Sequence, residues 1–137
     1  MLTIINLKIL KGGLKSPIAV GMFNNNLVIW YMTEYHISNE QKKLANKLGV
    51  MIYPADAKSK YKLEIYDSQG LFMFRCGDKN YDDYFKYKQG EKDKALPKGY
   101  AKWRRSLYLD RHRKELDKPG TRGWFSAVLL WDFKYTH

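Results

Sequence analysis

Arg111 and His112 stand side by side in "YLDRHRKE", and Arg104, Tyr108 and Arg111 recur at helical spacing. Guanidinium groups bind phosphate or carboxylate through paired N–H donors. Imidazole donates, accepts or moves a proton near neutral pH. Such a cluster is open to polyanion docking, to acid–base catalysis, or to no chemistry at all if it is only the solvated side of a helix. A general-base nuclease would use His112 with a nearby arginine. A two-metal nuclease needs clustered carboxylates, and Asp82 and Asp83, with Asp78 close by, are the candidates. The same acids suit a helix start, where the dipole favours negative charge, and that simpler role is the expectation.

Other chemistry has less support. His36, His112 and His137 show no ligand spacing, and one cysteine cannot build a thiolate metal site. Ser126 lies in "GWFSAVL", which lacks the glycines of a nucleophile elbow. Arg75 beside Cys76 would favour a thiolate, yet a lone cysteine at a strand end reads as packing. No catalytic residue, metal or cofactor is assigned.

Polyanion binding is the better supported reading. The chain carries 25 Lys and Arg against 14 Asp and Glu, a formal net charge of +11. Most of that excess lies in residues 58–137. Lys98, Lys102, Arg104, Arg105, Arg111, Arg113 and Arg122 are the candidate contacts, with Lys114 and Lys118 adding to the run. Trp103 and Tyr108 are interleaved as aromatic contacts able to stack on bases. Lysine would serve for solvation alone, so the arginines favour a partner. This signal does not separate nucleic acid from an acidic protein surface.

The elements that must hold these residues are short. "LTIINLKIL" reads as a strand, and "IAVGMF" and "LVIWYM" flank the turn signal at Asn24, Asn25 and Asn26. "SNEQKKLANKLG" carries a capping box, Ser38 with Gln41, and ends on Gly49. Leu44, Ala45 and Leu48 share its apolar face, and "VMIYP" follows as a strand stopped by Pro54. "KYKLEIYDSQGLFMFRCG" is a hairpin turning at Asp67, Ser68, Gln69 and Gly70. In it Leu63 and Ile65 face one way, Lys62, Glu64 and Tyr66 the other. Asn80, Asp82 and Asp83 open a helix, and "QGEKDKALPKG" reads as a solvated loop. Pro97 starts a helix running to about Leu116, with Tyr100, Trp103 and Leu107 along one face. "GWFSAVLLWDF" is apolar all round, either helix or strand. The expected fold is a single α+β domain over residues 1–137, a small antiparallel sheet built from hairpins with about three helices. Residues 1–57 are mainly β-hairpin plus one helix, and residues 58–137 are a hairpin followed by a basic helical region.

No apolar run approaches the roughly 20 residues that span a bilayer. "MLTIINLKILKGG" is interrupted by Lys8 and lacks a small-residue cleavage site, so it reads as a strand rather than a secretory signal. A single cysteine fits a reducing compartment.

Residues 60–132 carry a pattern: the hairpin above, then "KNYDDYFKYK", "YLDRHRKE" and "GTRGWFSAVLLW". Its centre is Tyr108, Arg111 and His112, and its ending is Gly123, Trp124, Phe125, Ser126, Leu129, Leu130 and Trp131. This half of the chain resembles a family of small basic proteins encoded by large DNA viruses. It departs from that pattern at Leu116, near a position where a tryptophan is usual, and in a longer loop at 89–99. The resemblance implies a viral protein packed in the virion and present in host cytoplasm or nucleus during infection. It supplies no activity. Together with the charge, it leads to the expectation of a non-enzymatic minor capsid or cement protein. Its partners would be capsid or other virion proteins, with nucleic acid as a further candidate. The alternative is a nucleic-acid-binding protein free in the infected cell, and behind that a nuclease.

Overall fold

The computed structural model describes residues 34–136. The strand expected at the start of the chain and the hairpin around residues 24–26 lie outside the described residues. Within them the chain runs α1 (Asn39–Leu48), β1 (Met51–Pro54), β2 (Tyr61–Tyr66), β3 (Phe72–Asp78), α2 (Tyr84–Lys92), α3 (Tyr100–Arg111), α4 (Arg113–Leu116) and α5 (Arg122–Trp131). The strands form one antiparallel sheet in the order β1-β2-β3. The described residues therefore make a single α+β domain, with five helices rather than about three.

Local signals set most of the boundaries. Ser38 and Gln41 form the reciprocal capping box of α1, and Gly49 ends it in the left-handed region at φ 75°. Asp67 shapes the hairpin turn, its Oδ1 accepting the amides of Gln69 and Leu71 at 2.9 Å each. Asp83 is the N-cap of α2, its Oδ1 accepting the amides of Phe85 and Lys86 at 3.0 and 3.1 Å.

Three boundaries differ from the sequence reading. The expected loop is partly helix, since α2 runs to Lys92. The next helix begins at Tyr100 instead of near Pro97, because Glu91 of α2 supplies its cap. The Glu91 carboxylate accepts the amides of Gly99 and Ala101 at 3.1 and 2.6 Å, bonds that hold its carboxyl below the usual range. That helix also breaks at His112 (φ −107°, ψ 25°), leaving α4 as one short turn.

The apolar ending is a helix, and it is the core. Trp124, Phe125, Ala127, Val128, Leu129, Leu130 and Trp131 of α5 are all buried. A strand would turn alternate members of that set to the other side of a sheet, whereas a helix surrounded on all sides buries them together. Leu63, Ile65, Phe74 and Cys76 of the sheet pack into the same cluster, with Phe74 on Phe125 at 6.0 Å between ring centroids. The other sheet face carries rings edge to face, the exposed Tyr53 and Phe72 on the half-buried Tyr66 at 5.5 and 5.6 Å.

Burying α5 creates a demand at its carboxyl end, where the last carbonyls have no intrahelical donor. Gln41 Nε2 donates to Leu129 O at 3.0 Å and also to the Tyr35 hydroxyl at 2.9 Å. Tyr35 donates to Asp83 Oδ2 at 2.6 Å, and Lys62 Nζ meets the same oxygen at 2.9 Å. Asp83 is 0% exposed and Lys62 4%, so this ion pair is buried. Burial, and then the Asp83 charge, push the Tyr35 phenol well above its ordinary pKa.

Removing one partner of a buried pair strands the other charge, at a cost of about 3–5 kcal/mol. Asp83→Ala is therefore expected to lose about that much stability in urea unfolding, while the exposed neighbour variant Asp82→Ala stays within about 0.5 kcal/mol. Equal small effects from both would contradict the network's role.

Candidate anion-binding cleft

The helix carrying the basic run is seated by one arginine. Arg105 donates from Nε to Trp131 O at 2.8 Å and from Nη2 to Asp132 O at 2.7 Å. It thus satisfies further carbonyls at the end of α5, and these donors are engaged inside the molecule. The inward side of α3 is Ala101, Arg105, Tyr108 and Leu109. Trp103 and Leu107, expected on the apolar face, are instead 53% and 40% exposed. A propensity stripe loses here to the two carbonyl bonds of Arg105 and the packing of Tyr108.

Tyr108 stacks on Trp131 of α5 at 4.3 Å and 7°, and His112 stacks on Tyr108 at 4.0 Å and 21°. Both faces of the Tyr108 ring are covered, so it cannot be the base-stacking contact its spacing suggested. Its hydroxyl lies 3.5 Å from Ser126 Oγ, and burial raises its pKa while that bond pulls it down. His112 Nδ1 is 3.0 Å from Tyr108 O. A carbonyl can only accept, so Nδ1 carries the proton and Nε2 is the ring nitrogen left for a ligand.

These groups border a cleft of about 480 Å³. Helix α3 and its end contribute Arg104, Tyr108, Arg111 and His112. The end of β3 contributes Asp78, the segment after it Tyr81 and Asp82, and the buried base is formed by Lys62, Leu130 and Trp131. Ser126 and Gly77 complete it. Gly77 adopts φ +82°, and a Cβ there would come within 2.6 Å of Leu130 Cδ1, so a side chain at this position would force the base of the cleft apart. The Arg104 guanidinium sits over the rings of Tyr87 and Trp103 at 5.5 and 5.8 Å, which restrains it without neutralising it.

The remaining candidates divide cleanly. Lys98, Lys102 and Arg111 are exposed, and Arg122 is exposed at the start of α5. Among the described residues none of these four has an ion-pair partner. Arg113 pairs with Asp110 one turn earlier. Sequence reasoning missed Lys62, Tyr81, Ser126 and Trp131 as cleft residues, because they lie on three different elements with no shared spacing. Asp82 and Asp83 do not act together, since Asp83 is the buried cap and Asp82 faces the cleft. No group of three potential metal-ligating His, Cys, Asp or Glu side chains occurs among the described residues. No helix among them is long and apolar enough to cross a membrane.

Cys76 takes no part. Burial pushes its thiol up to about 12, against the smaller opposite pull of Arg122 and Lys62. Arg75 does not activate it, being directed instead to Glu64 Oε2 at 2.9 Å. A raised pKa keeps the thiol protonated through neutral pH, and the thiolate is the reactive form. A thiol reagent at pH 8 should leave Cys76 intact in the native protein and modify it on adding denaturant. Modification of the folded protein at the rate of a free thiol would contradict its burial.

The two kinds of arginine should separate in stability measurements. Arg105→Ala leaves carbonyls at the end of α5 without their donors, an expected loss of about 1–3 kcal/mol. Arg111→Ala should stay within about 0.5 kcal/mol. Equal losses in thermal or urea unfolding would mean that Arg111 also has a structural bond. Compared with known proteins, the chain matches no family model, no curated protein and no solved structure, so the reading of the cleft rests on its own geometry.

Proposed function

We propose that this protein is a non-enzymatic, virion-associated structural protein of a large DNA virus that docks nucleic acid on the face formed by α3 and its flanking turns. The viral part of the reading is supported by the resemblance of residues 60–132. The docking part is supported chiefly by one observation: Lys98, Lys102, Arg104 and Arg111 carry uncompensated charge around an exposed indole and an open cleft. An acidic capsid surface would satisfy the charge equally. Trp103 and Tyr81, 53% and 68% exposed, favour nucleic acid, because bases stack on such rings. Arg113 and Arg105, already engaged within the fold, contribute less to this face.

Salt titration of binding to a single-stranded oligonucleotide tests the reading. If four cations meet phosphates, the logarithm of affinity falls against the logarithm of salt with a slope of about −3. Replacing Lys102 and Arg111 together by Gln should reduce that slope by about 1.4, and replacing Lys42 and Lys43 on α1 should leave it unchanged. No measurable binding, or equal effects from both pairs, would overturn the docking face.

One observation favours a second reading. His112 lines a cleft that also holds Asp82 and the arginines, and its bond to Tyr108 O uses Nδ1 and not Nε2, leaving a ring nitrogen of the kind a general-base nuclease would use. The same assay decides it. An intact oligonucleotide after prolonged incubation is the expected result, whereas cleavage that disappears in His112→Ala would replace docking with catalysis.

A further inference from the structure

We propose that the cleft beside α3 is a nucleoside 5′-phosphate pocket, with the phosphate held by Arg104 and Arg111 and the nucleoside directed toward Tyr81 and Asp82. The inference rests on the nucleic-acid reading of the surrounding face and adds a discrete site to it.

Concavity is the first reason. A face that only tracks a phosphate backbone needs an exposed run of charge. Here α3, the end of β3 and the segment after it, β2 and α5 border about 480 Å³, a size usual for small-ligand sites. Preorganisation is the second. Arg104 and Arg111 lie seven residues apart on one face of α3, and both line the cleft. Arg104 is restrained by two rings and His112 by its stack and its Nδ1 bond. Polar groups fixed before the ligand arrives reduce the ordering cost of binding.

Charge sets the ligand class. A terminal phosphate monoester carries about −1.5 to −2 charge near neutral pH, more than an internal diester, and so gains more from the guanidinium groups at the cleft. Asp78 at the end of β3 and Asp82 just after it lie away from the α3 cations in sequence. Their carboxylates disfavour further phosphates there and accept hydrogen bonds from sugar hydroxyls or base amines. Tyr81, at the rim, offers its ring to the base. The nucleotide is either free or the phosphorylated end of a strand.

The test is calorimetric titration of the full chain with 5′-deoxyadenylate, with deoxyadenosine and inorganic phosphate as separate probes. A second arm compares an oligonucleotide with and without a 5′-phosphate. The proposal expects deoxyadenylate to bind at least tenfold more tightly than either component. Arg111→Gln should weaken it about tenfold, while Lys98→Gln, outside the cleft, changes it less than twofold. Arg111→Lys should recover part of the loss, since it keeps charge and loses the fork. A 5′-phosphate that strengthens oligonucleotide binding identifies a strand end, and no such effect beside tight deoxyadenylate binding identifies a free nucleotide. Deoxyadenylate binding no tighter than phosphate, or unchanged in Arg111→Gln, overturns the pocket. Strands that bind with a steep salt slope while deoxyadenylate does not bind would overturn the pocket alone. Deoxyadenylate binding without strand binding would overturn the docking reading alone.

Discussion

The carboxylate of Asp83 has no contact with water, and most of the domain is arranged around satisfying it. Its two oxygens take the first amides of α2, the Tyr35 hydroxyl and the Lys62 ammonium. Tyr35 accepts from Gln41, and Gln41 donates onward to the carbonyl of Leu129. One hydrogen-bonded chain thereby ties the start of α2, the middle strand, the cap of α1 and the end of the buried helix. A buried charge is costly unless every bond is made, so these elements have little freedom to shift independently. Gln41 shows how tightly the roles are combined: its Oε1 completes the capping box at 2.9 Å while its Nε2 serves the core.

The same helix end explains the cleft. An apolar helix can be surrounded on every side only if its terminal carbonyls find donors. Gln41 supplies one from α1, and Arg105 supplies others from α3. Arg105 therefore fixes how α3 is rotated. That rotation turns Tyr108 onto Trp131 and carries Arg104 and Arg111 to the border of the space beside β3. It leaves Trp103 and Leu107 in solvent. The abrupt change from charge to apolar residues between α4 and α5 is thus a physical pairing, with the apolar helix as the base on which the charged one is positioned.

Local features were legible in the sequence and long-range ones were not. The Ser38–Gln41 box, the Asp67 turn and the Asp83 cap each depend on residues within a few positions, and the chain forms them where the residue types indicate. The helical state of α5 was not legible, since a segment apolar all round has no period to read. The face of α3 was misread for a related reason. Tyr100, Trp103 and Leu107 make the apolar stripe, yet the inward residue is an arginine whose acceptors lie 26 and 27 positions away. Lys62 has the alternation of an outward strand residue and is buried because its partner is Asp83, 21 positions on. Of the site, Arg104, Arg111 and His112 were visible as a cluster. Its concavity was not, because Asp82, Tyr81, Ser126 and Trp131 reach it only through the fold.

Among the described residues two surfaces carry exposed rings, the α3 side with Trp103 and Tyr81 and the outer sheet face with Tyr53 and Phe72 on either side of the half-buried Tyr66. Charge distinguishes them. On the sheet face the Arg75 guanidinium is paired with Glu64 and lies over Phe72 at 5.0 Å, whereas on the α3 side Lys98, Lys102, Arg104 and Arg111 have no ion-pair partner among the described residues. A nuclear magnetic resonance titration with a short single-stranded oligonucleotide separates the two directly. The amide shifts are expected to concentrate in residues 98–112, at Tyr81 and Asp82, and along the Ser126 to Trp131 side of the cleft. Shifts centred on Tyr53, Tyr66 and Phe72, or none at saturating oligonucleotide, would contradict the assignment of nucleic acid to the α3 face.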